Sequence, residues 1–391
     1  MLGIFLSIGL LALLIFIYYR SIQYFKINKI LKVIGPIILG FYFFGGFLTL
    51  YIGFLCTKGT YAKQLFTGIS YYWLGTLLYF ALGLLFSVII RSIVYKIKNY
   101  KKRNVAKTIT VIFTLIFTII MSTYGIMNAH DLKVTNYEIE VNKNSNLDEL
   151  NIVLIADIHY GYNVGLNETI DMVETINSLN PDVVIIAGDI FDNEYDALYE
   201  PEKVINELQK INSKYGVYAA YGNHDIEEKI FLGFTFKRSN NKDKCADEKM
   251  IKFIEDSNIK ILYDDYVMID DVYLYGRPDY EKPNLHNDSR LSDEEMMNKM
   301  DTDKPIVVID HEPRHTENLA DLGVDVFLNG HTHNGQIWPG TITIDWIWDN
   351  AYGYKQYGNL HNIVTSGVGL FGVNMRTDSI AEVCNIKVKF N

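Results

Sequence analysis

The chain has 391 residues and a formal net charge of −10, a length that exceeds one small domain and suits two units. Residues 1–130 hold 13 of the 36 Lys and Arg and no Asp or Glu, so all 46 acidic residues lie beyond them. This split fits a membrane region followed by a soluble acidic domain, and it excludes nucleic acid as the main partner, because a phosphate-backbone footprint needs clustered Lys and Arg.

Four uncharged apolar stretches come first, at about Leu2–Tyr19, Val33–Leu55, Ile69–Ile90 and Ile109–Met127. Each has the length needed to cross a hydrocarbon core about 30 Å thick. A cleaved signal peptide would account only for the first. The loops between them set an orientation. Loop one holds Arg20, Lys26, Lys29 and Lys32, and loop two only Lys58 and Lys63. Loop three holds Arg91, Lys96, Lys98, Lys101, Lys102, Arg103 and Lys107. The positive-inside rule puts loops one and three in the cytoplasm. A multi-pass protein of the cell membrane is predicted, with everything after the fourth helix extracytoplasmic.

Residues 131–149 read as a polar connector with one alternating stretch, Tyr137–Val141. From residue 150 the rhythm changes. Short apolar, β-branched runs at Asn151–Ala156, Asp182–Ala187, Val217–Tyr221, Ile306–Ile309 and Val324–Leu328 read as buried strands. Helix-like stretches at Asn167–Leu179 and Glu202–Ser213 lie between the first of them. Asp264–Tyr275 resembles a hairpin, and Asn362–Ser366 and Ala381–Phe390 add strands. Alternating strands and helices imply an α/β fold over 150–391. Residues 237–249 and 282–304 are polar and read as surface excursions.

The unusual polar residues fall at the ends of the apolar runs. The first run leads into Asp157-Ile158-His159 and the second into Gly188-Asp189. The third leads into Gly222-Asn223-His224-Asp225, the fourth into Asp310-His311 and the fifth into Asn329-Gly330-His331-Thr332-His333. Singly, such an Asp is ordinarily a cap or turn residue and such a His a hydrogen-bonded core residue. Together, five strand ends can converge on one site, since open α/β sheets bind ligands beyond the carboxyl ends of their strands. Two Asp, one Asn and four or five His are too many for one tetrahedral ion. Mixed nitrogen and oxygen donors without thiolate suit Mn, Fe, Zn or Co. Two such ions about 3.5–4 Å apart can clamp a phosphoryl group and activate a bridging water. Cys56, Cys245 and Cys384 form no CxxC pair. Cys245 and Cys384 are either two free thiols or, in an extracytoplasmic domain, a disulfide.

The ordered blocks DxH, GD, GNHD, H and GHTH resemble the calcineurin-like metallophosphoesterase superfamily over roughly residues 150–390. His331-Thr332-His333-Asn334-Gly335-Gln336 is similar to its membrane-associated bacterial branch, in which Gly is usual where Asn334 stands. The resemblance implies a four-layer α/β/β/α sandwich. It implies a first metal on Asp157, His159, Asp189 and His333, and a second on Asp189, Asn223, His311 and His331. His224 would protonate the leaving oxygen or stabilise the transition state, with Asp225 orienting it. The implied reaction is attack by a metal-bridging hydroxide on a phosphomonoester or phosphodiester. Membrane anchorage suggests a phospholipid, lipid-linked or envelope substrate. The competing reading is a non-enzymatic membrane sensor or transport-associated protein with a metal-binding domain. Cytosolic nucleotide hydrolysis would require the reverse topology.

Other residues read as supporting ones. Asp192 suits a structural cap and His315 a surface or second-layer position. His286 and His361 read as ordinary, and Arg376 either meets substrate or ties down the tail. Trp338, Trp346 and Trp348, with Phe371, either line an apolar rim or pack the domain against its own strands or the bilayer.

Overall fold

Uncharged apolar runs become helices because, away from water, a helix satisfies its backbone N–H and C=O groups within its own segment. The computed structural model describes Ile15, Tyr19 and residues 29–94, 96, 99–228, 230–231, 234–235, 247–282 and 290–391. Within them such runs form α1 (Lys29–Leu55), α2 (Tyr61–Val94) and α3 (Tyr100–Ala129). Three segments, Val33–Leu55, Tyr61–Val94 and Val105–Ala129, are long and apolar enough to cross a membrane. The expected first segment, Leu2–Tyr19, lies outside the described residues but for Ile15 and Tyr19, as do Cys245 and His286. Leu39, Phe43, Trp73, Leu77, Phe80 and Val111 pack together, while Phe41, Ile89 and Ile119 stay exposed. Side chains apolar on both sides of a helix suit a lipid surround.

Backbone contacts divide the chain into a helical unit ending at Met127, to which Val373–Met375 are assigned, and a mixed unit from Asn128 onward. The mixed unit contains, in order, β1 (Leu132–Val141), β2 (Glu149–Ile155), α4 (Leu166–Ser178), β3 (Val183–Ala187), α5 (Pro201–Leu208), β4 (Val217–Ala220), β5 (Ile230–Phe231) and β6 (Phe234–Thr235). Then come α6 (Glu248–Asp256), β7 (Ile259–Ile261), β8 (Asp265–Ile269), β9 (Val272–Gly276), α7 (Asp293–Met297), β10 (Ile306–Ile309), α8 (Thr316–Leu322) and β11 (Val326–Asn329). The last are α9 (Gly340–Ile344), β12 (Gly353–Tyr357), β13 (Leu360–Val364) and β14 (Ala381–Phe390).

Two six-stranded sheets form, in the orders β1-β14-β2-β3-β4-β7 and β12-β13-β11-β10-β9-β8. β2, β3, β4 and β7 are parallel, as are β9, β10, β11 and β13. The sheets face each other through Ile152, Leu154, Ile185, Val307, Leu328 and Ile363. Outside the first sheet lie Met172 and Ile176 of α4 and Val204 and Leu208 of α5. Outside the second lie Met296, Met297, Met300 and Leu319. Strands covered on both faces must be apolar throughout, which is why β3 and β10 are continuous runs of buried Val, Ile and Ala. Each such Val, Leu or Ile stabilises the fold by about 1.5–3 kcal/mol on burial.

Two expected segments differ. The 131–149 connector contains β1, which pairs in parallel with β14 from Leu132↔Ala381 to Val141↔Phe390 and buries Ile139 and Val141. From Asn136 onward its other face is polar, with Asn136, Glu138 and Glu140, so the strand reads as a linker. The 282–304 excursion is, from residue 290, packed structure. Met296, Met297 and Met300 are buried, and Arg277 and Asp293 form a buried ion pair at 2.6 Å. Cys384 is a buried free thiol on β14.

Candidate metal centre

The carboxyl ends of β2, β3, β4, β10 and β11 carry the motif residues, and the parallel pairing brings these ends together. Asp157 N donates to Gly188 O and His159 N to Asp189 O, both at 3.0 Å. Gly222 permits a close approach there: a Cβ on it would stand 2.2 Å from Asp189 Oδ1 and 2.3 Å from Asp189 N. Five motif residues hold left-handed backbones, with φ of 54° at Asp157, 55° at His159, 52° at Asp189, 73° at His331 and 48° at His333. Such conformations cost about 1–3 kcal/mol each and persist where surrounding structure holds them, characteristically at functional sites.

Donor atoms collect in two groups around Asp189. In the first, His159 Nε2 and His333 Nε2 lie 3.0 Å apart. Asp189 Oδ2 is 3.7 Å from His159 Nε2, and Asp157 Oδ1 is 3.6 Å from His333 Nε2. In the second, His311 Nε2 lies 3.1 Å from Asp189 Oδ2, 3.2 Å from Asn223 Oδ1 and 3.2 Å from His331 Nδ1. His331 Nδ1 is 3.0 Å from Asn223 Oδ1. The fold thus brings together the residues that the sequence reading placed in two sets, with Asp189 Oδ2 near His159 of one and His311 of the other.

The donor set fits divalent cations. Burial pushes His159 and His331 down to about 3 and His333 well below its usual value, so their rings are neutral. Neutral rings whose nitrogens face one another and carboxylates present lone pairs to a shared space, and a cation resolves that arrangement. His311 Nδ1 lies 2.8 Å from Ala187 O and donates to it, so Nε2 is the nitrogen that would face a metal once its own proton is displaced. The Asp189 carboxylate would be raised by burial alone, but His311, His224 and His159 hold it well below the ordinary range. Groups of His and carboxylate compatible with a metal are Asp157, His159 and His333; Asp157, Asp189 and His311; and His159, Asp192 and His224.

His224 stands beside these groups, with its ring 5.1 Å from that of His159. Burial lowers it to about 4. Its Nδ1 bonds Asn193 Oδ1, and Asn193 Nδ2 donates to Ile226 O, which fixes the amide with its oxygen toward the imidazole. Nδ1 therefore carries the proton and Nε2 is free to accept. Asp225, expected to orient His224, does not. Its Oδ1 accepts from Phe191 N at 2.9 Å and its Oδ2 from Gly222 N at 2.8 Å, so it braces the β3 and β4 turns instead. Burial and the Asp189 charge push it up to about 7.

Asp192 is more than a cap. It is buried, with Oδ1 3.7 Å from His224 Nδ1 and 3.9 Å from His159 Nδ1, and burial followed by the charges of Asp189 and Glu194 raises it to about 8. The Asp189-x-x-Asp192-Asn193 spacing was the only sequence signal for these two residues. Phe371 covers the site, its ring 4.9 Å from that of His224 and 5.5 Å from that of His159. The ring of Trp348 lies 5.1 Å from that of His331. Asp310 turns away to Arg290, and His315 pairs with Asp293 at 3.1 Å. His361 lies 3.0 Å from Glu140 O, whereas Arg376 ties down the tail and also brings its Nη2 to 3.5 Å from His333 Nδ1.

Residues 150–335 match the calcineurin-like phosphoesterase family. This chain carries a calcineurin-like phosphoesterase domain. Among curated relatives, a transmembrane protein with metallophosphoesterase domain from Danio rerio is 30% identical over 286 residues, 71% of this chain and 62% of its own length. An uncharacterized metallophosphoesterase of Helicobacter pylori is 25% identical over 61% of this chain and 60% of its own length. One of Bacillus subtilis is 29% identical over 59% of this chain and 75% of its own length. The chain thus spans about three fifths of the first two relatives. The sheet that carries β2, β3 and β4 of the matched residues also contains β14, which lies between β1 and β2.

Proposed function

We propose that this chain is a membrane-anchored, metal-dependent phosphoesterase whose substrate is a phospholipid, lipid-linked or other envelope phosphoester. Residues 1–130 would anchor it and 150–391 hydrolyse. The observation that carries the reading is the pair of donor groups sharing Asp189 with His224 beside them. Asp157, His159, Asp189 and His333 would hold one divalent ion, and Asp189, Asn223, His311 and His331 a second. Such ions, when bound, neutralise phosphoryl charge and acidify water. The chain's own groups do the rest. Neutral His224, its Nδ1–H on Asn193, offers Nε2 to the phosphate oxygens, and the arriving anion favours its protonation, so that it can pass a proton to the leaving oxygen. Phe371 excludes water above it. The test is hydrolysis of a chromogenic phosphodiester and a monoester by the detergent-solubilised full chain with Mn(II). His224→Ala should cut turnover by about 10²–10⁴-fold with bound metal retained. Absence of turnover with every divalent metal tried would sink the reading.

Metal binding should depend on pH. In the metal-free protein, burial, partly opposed by His311 and reinforced by Asp189, raises Asp157 to about 7. Burial alone would lower His311, but the Asp189 and Asp157 charges hold it well above the usual imidazole value. Both are therefore protonated below pH 7, and a cation must displace both protons. Affinity for Mn(II) should fall by up to about two decades per pH unit below 7 and by about one decade just above it. Titration calorimetry in buffers of different ionisation enthalpy would read the released protons. An affinity constant across this range, with no proton release, contradicts the assignment.

The loop charges, 11 basic residues against 2, support an extracytoplasmic catalytic domain in a multi-pass protein. External protease on intact cells should remove that domain as it removes known exterior domains. Its survival under those conditions would reverse the topology.

A further inference from the structure

Between the last histidine of the site and β12 the chain makes an apolar excursion over residues 337–348. It contains no Lys or Arg and one acidic residue, Asp345. α9, at its centre, buries none of its residues. Ile342, Trp346 and Ile347 are 49%, 78% and 70% exposed. Large apolar side chains clustered at a surface mark an interaction site, and Trp in particular suits the boundary between headgroups and acyl chains.

Bonding within the mixed unit indicates what covers this cluster. Trp338 N donates to Thr377 Oγ1 at 3.0 Å, and Thr341 Oγ1 donates to the Asp378 carboxylate. On the same short segment, Asn128 Nδ2 donates to Arg376 O at 3.0 Å and to Ser379 O at 2.7 Å. Asn128 stands in the last turn of the apolar segment Val105–Ala129. Residues 376–379 therefore grip both the exposed apolar excursion and the point where the chain leaves its last apolar helix. The excursion is also tied to the site. Gln336 Nε2 donates to Phe371 O at 2.9 Å and Phe371 N to Gln336 Oε1 at 3.0 Å, and Phe371 lies over His159 and His224.

We propose that residues 337–348 are a membrane-docking element, with Ile342, Trp346 and Ile347 entering the headgroup–acyl boundary of the bilayer that holds this chain's own helices. This rests on the reading of those helices as membrane spans. Docking brings the Phe371 side of the site to the lipid surface, where phosphoesters carried by lipids reach His224. With no cationic residue in the element, insertion is driven by apolar burial, so it is insensitive to salt and needs no anionic lipid.

The full chain is reconstituted in phosphatidylcholine nanodiscs with plain or brominated acyl chains, and wild type is compared with Trp346→Phe. The difference between them is the emission of Trp346. That emission should be lost in brominated lipid, spared by aqueous iodide and unchanged in high salt. Quenching by iodide and not by bromine, or by neither, overturns the proposal, the first placing Trp346 in water and the second against protein. A second arm uses the double variant Ile342→Lys, Ile347→Lys. It should hydrolyse a soluble chromogenic phosphodiester as wild type does and lose hydrolysis of a bilayer-embedded fluorogenic one; equal loss or no loss on both overturns the proposal. If wild type hydrolyses neither substrate, the enzymatic reading fails while bromine quenching still decides docking.

Discussion

Asp189→Asn should abolish hydrolysis, by at least about 10⁴-fold, and should also strip metal from the protein. The Asp189 carboxylate faces both donor groups. Its Oδ2 is 3.1 Å from His311 Nε2 and 3.7 Å from His159 Nε2, while its Oδ1 accepts from His224 N at 2.8 Å. The amide keeps the shape and removes the charge that two cations would share. It also presents an N–H toward imidazole nitrogens, or toward His224 N, where an acceptor is needed. Metal analysis of the purified full chain, alongside turnover, separates this variant from His224→Ala, which should lose rate and keep metal. An Asp189→Asn protein with full metal content and more than a few per cent of wild-type turnover would show that the shared carboxylate is not the organising group.

Much of this site is legible in the sequence because of how the sheets are built. Strands such as Val183–Ala187 and Ile306–Ile309 are covered on both faces, so they stand out as apolar runs, and a polar residue at the end of each is conspicuous. The order of the blocks then singles out the side chains that the fold brings together around Asp189. The supporting residues are less legible. Asp225 follows His224 directly, but the turn that carries Asp225 N to Gly222 O aims its carboxylate at backbone N–H groups rather than at the imidazole. Asn193, which does hold His224, lies 31 residues away in sequence, and no spacing rule reports an approach of that kind. β1 was hidden for a related reason. Its partner β14 is at the far end of the chain, and only Ile139 and Val141 betray the face it buries.

The largest expected loss of stability is at Arg376, a fully buried guanidinium. Nη1 donates to Ser379 Oγ at 2.9 Å and Ile380 O at 2.8 Å; Nη2 donates to Ser366 O at 2.8 Å, Gly367 O at 3.1 Å and Gly369 O at 2.7 Å. Burial lowers it to about 10, opposed by Asp157 and Glu382, so it stays charged at neutral pH. The carbonyls it gathers belong to the strap whose Val368 N and Gly369 N bond Ala156 O and Asp157 O at 3.0 Å, directly behind the donor groups. Arg376→Met fills similar volume but leaves those carbonyls without a donor and the nearby carboxylates without a counter-charge. Breaking a buried charge of this kind costs about 3–5 kcal/mol. For a unit of this size that lowers the melting temperature by roughly 10 °C. Arg376→Lys keeps the charge and recovers fewer of the bonds, so it should melt between the two. Thermal unfolding of the full chain in detergent, without added metal, reads this free of any ligand effect. If Arg376→Met melts within about 2 °C of wild type, the strap is held by its own backbone and the arginine serves another purpose.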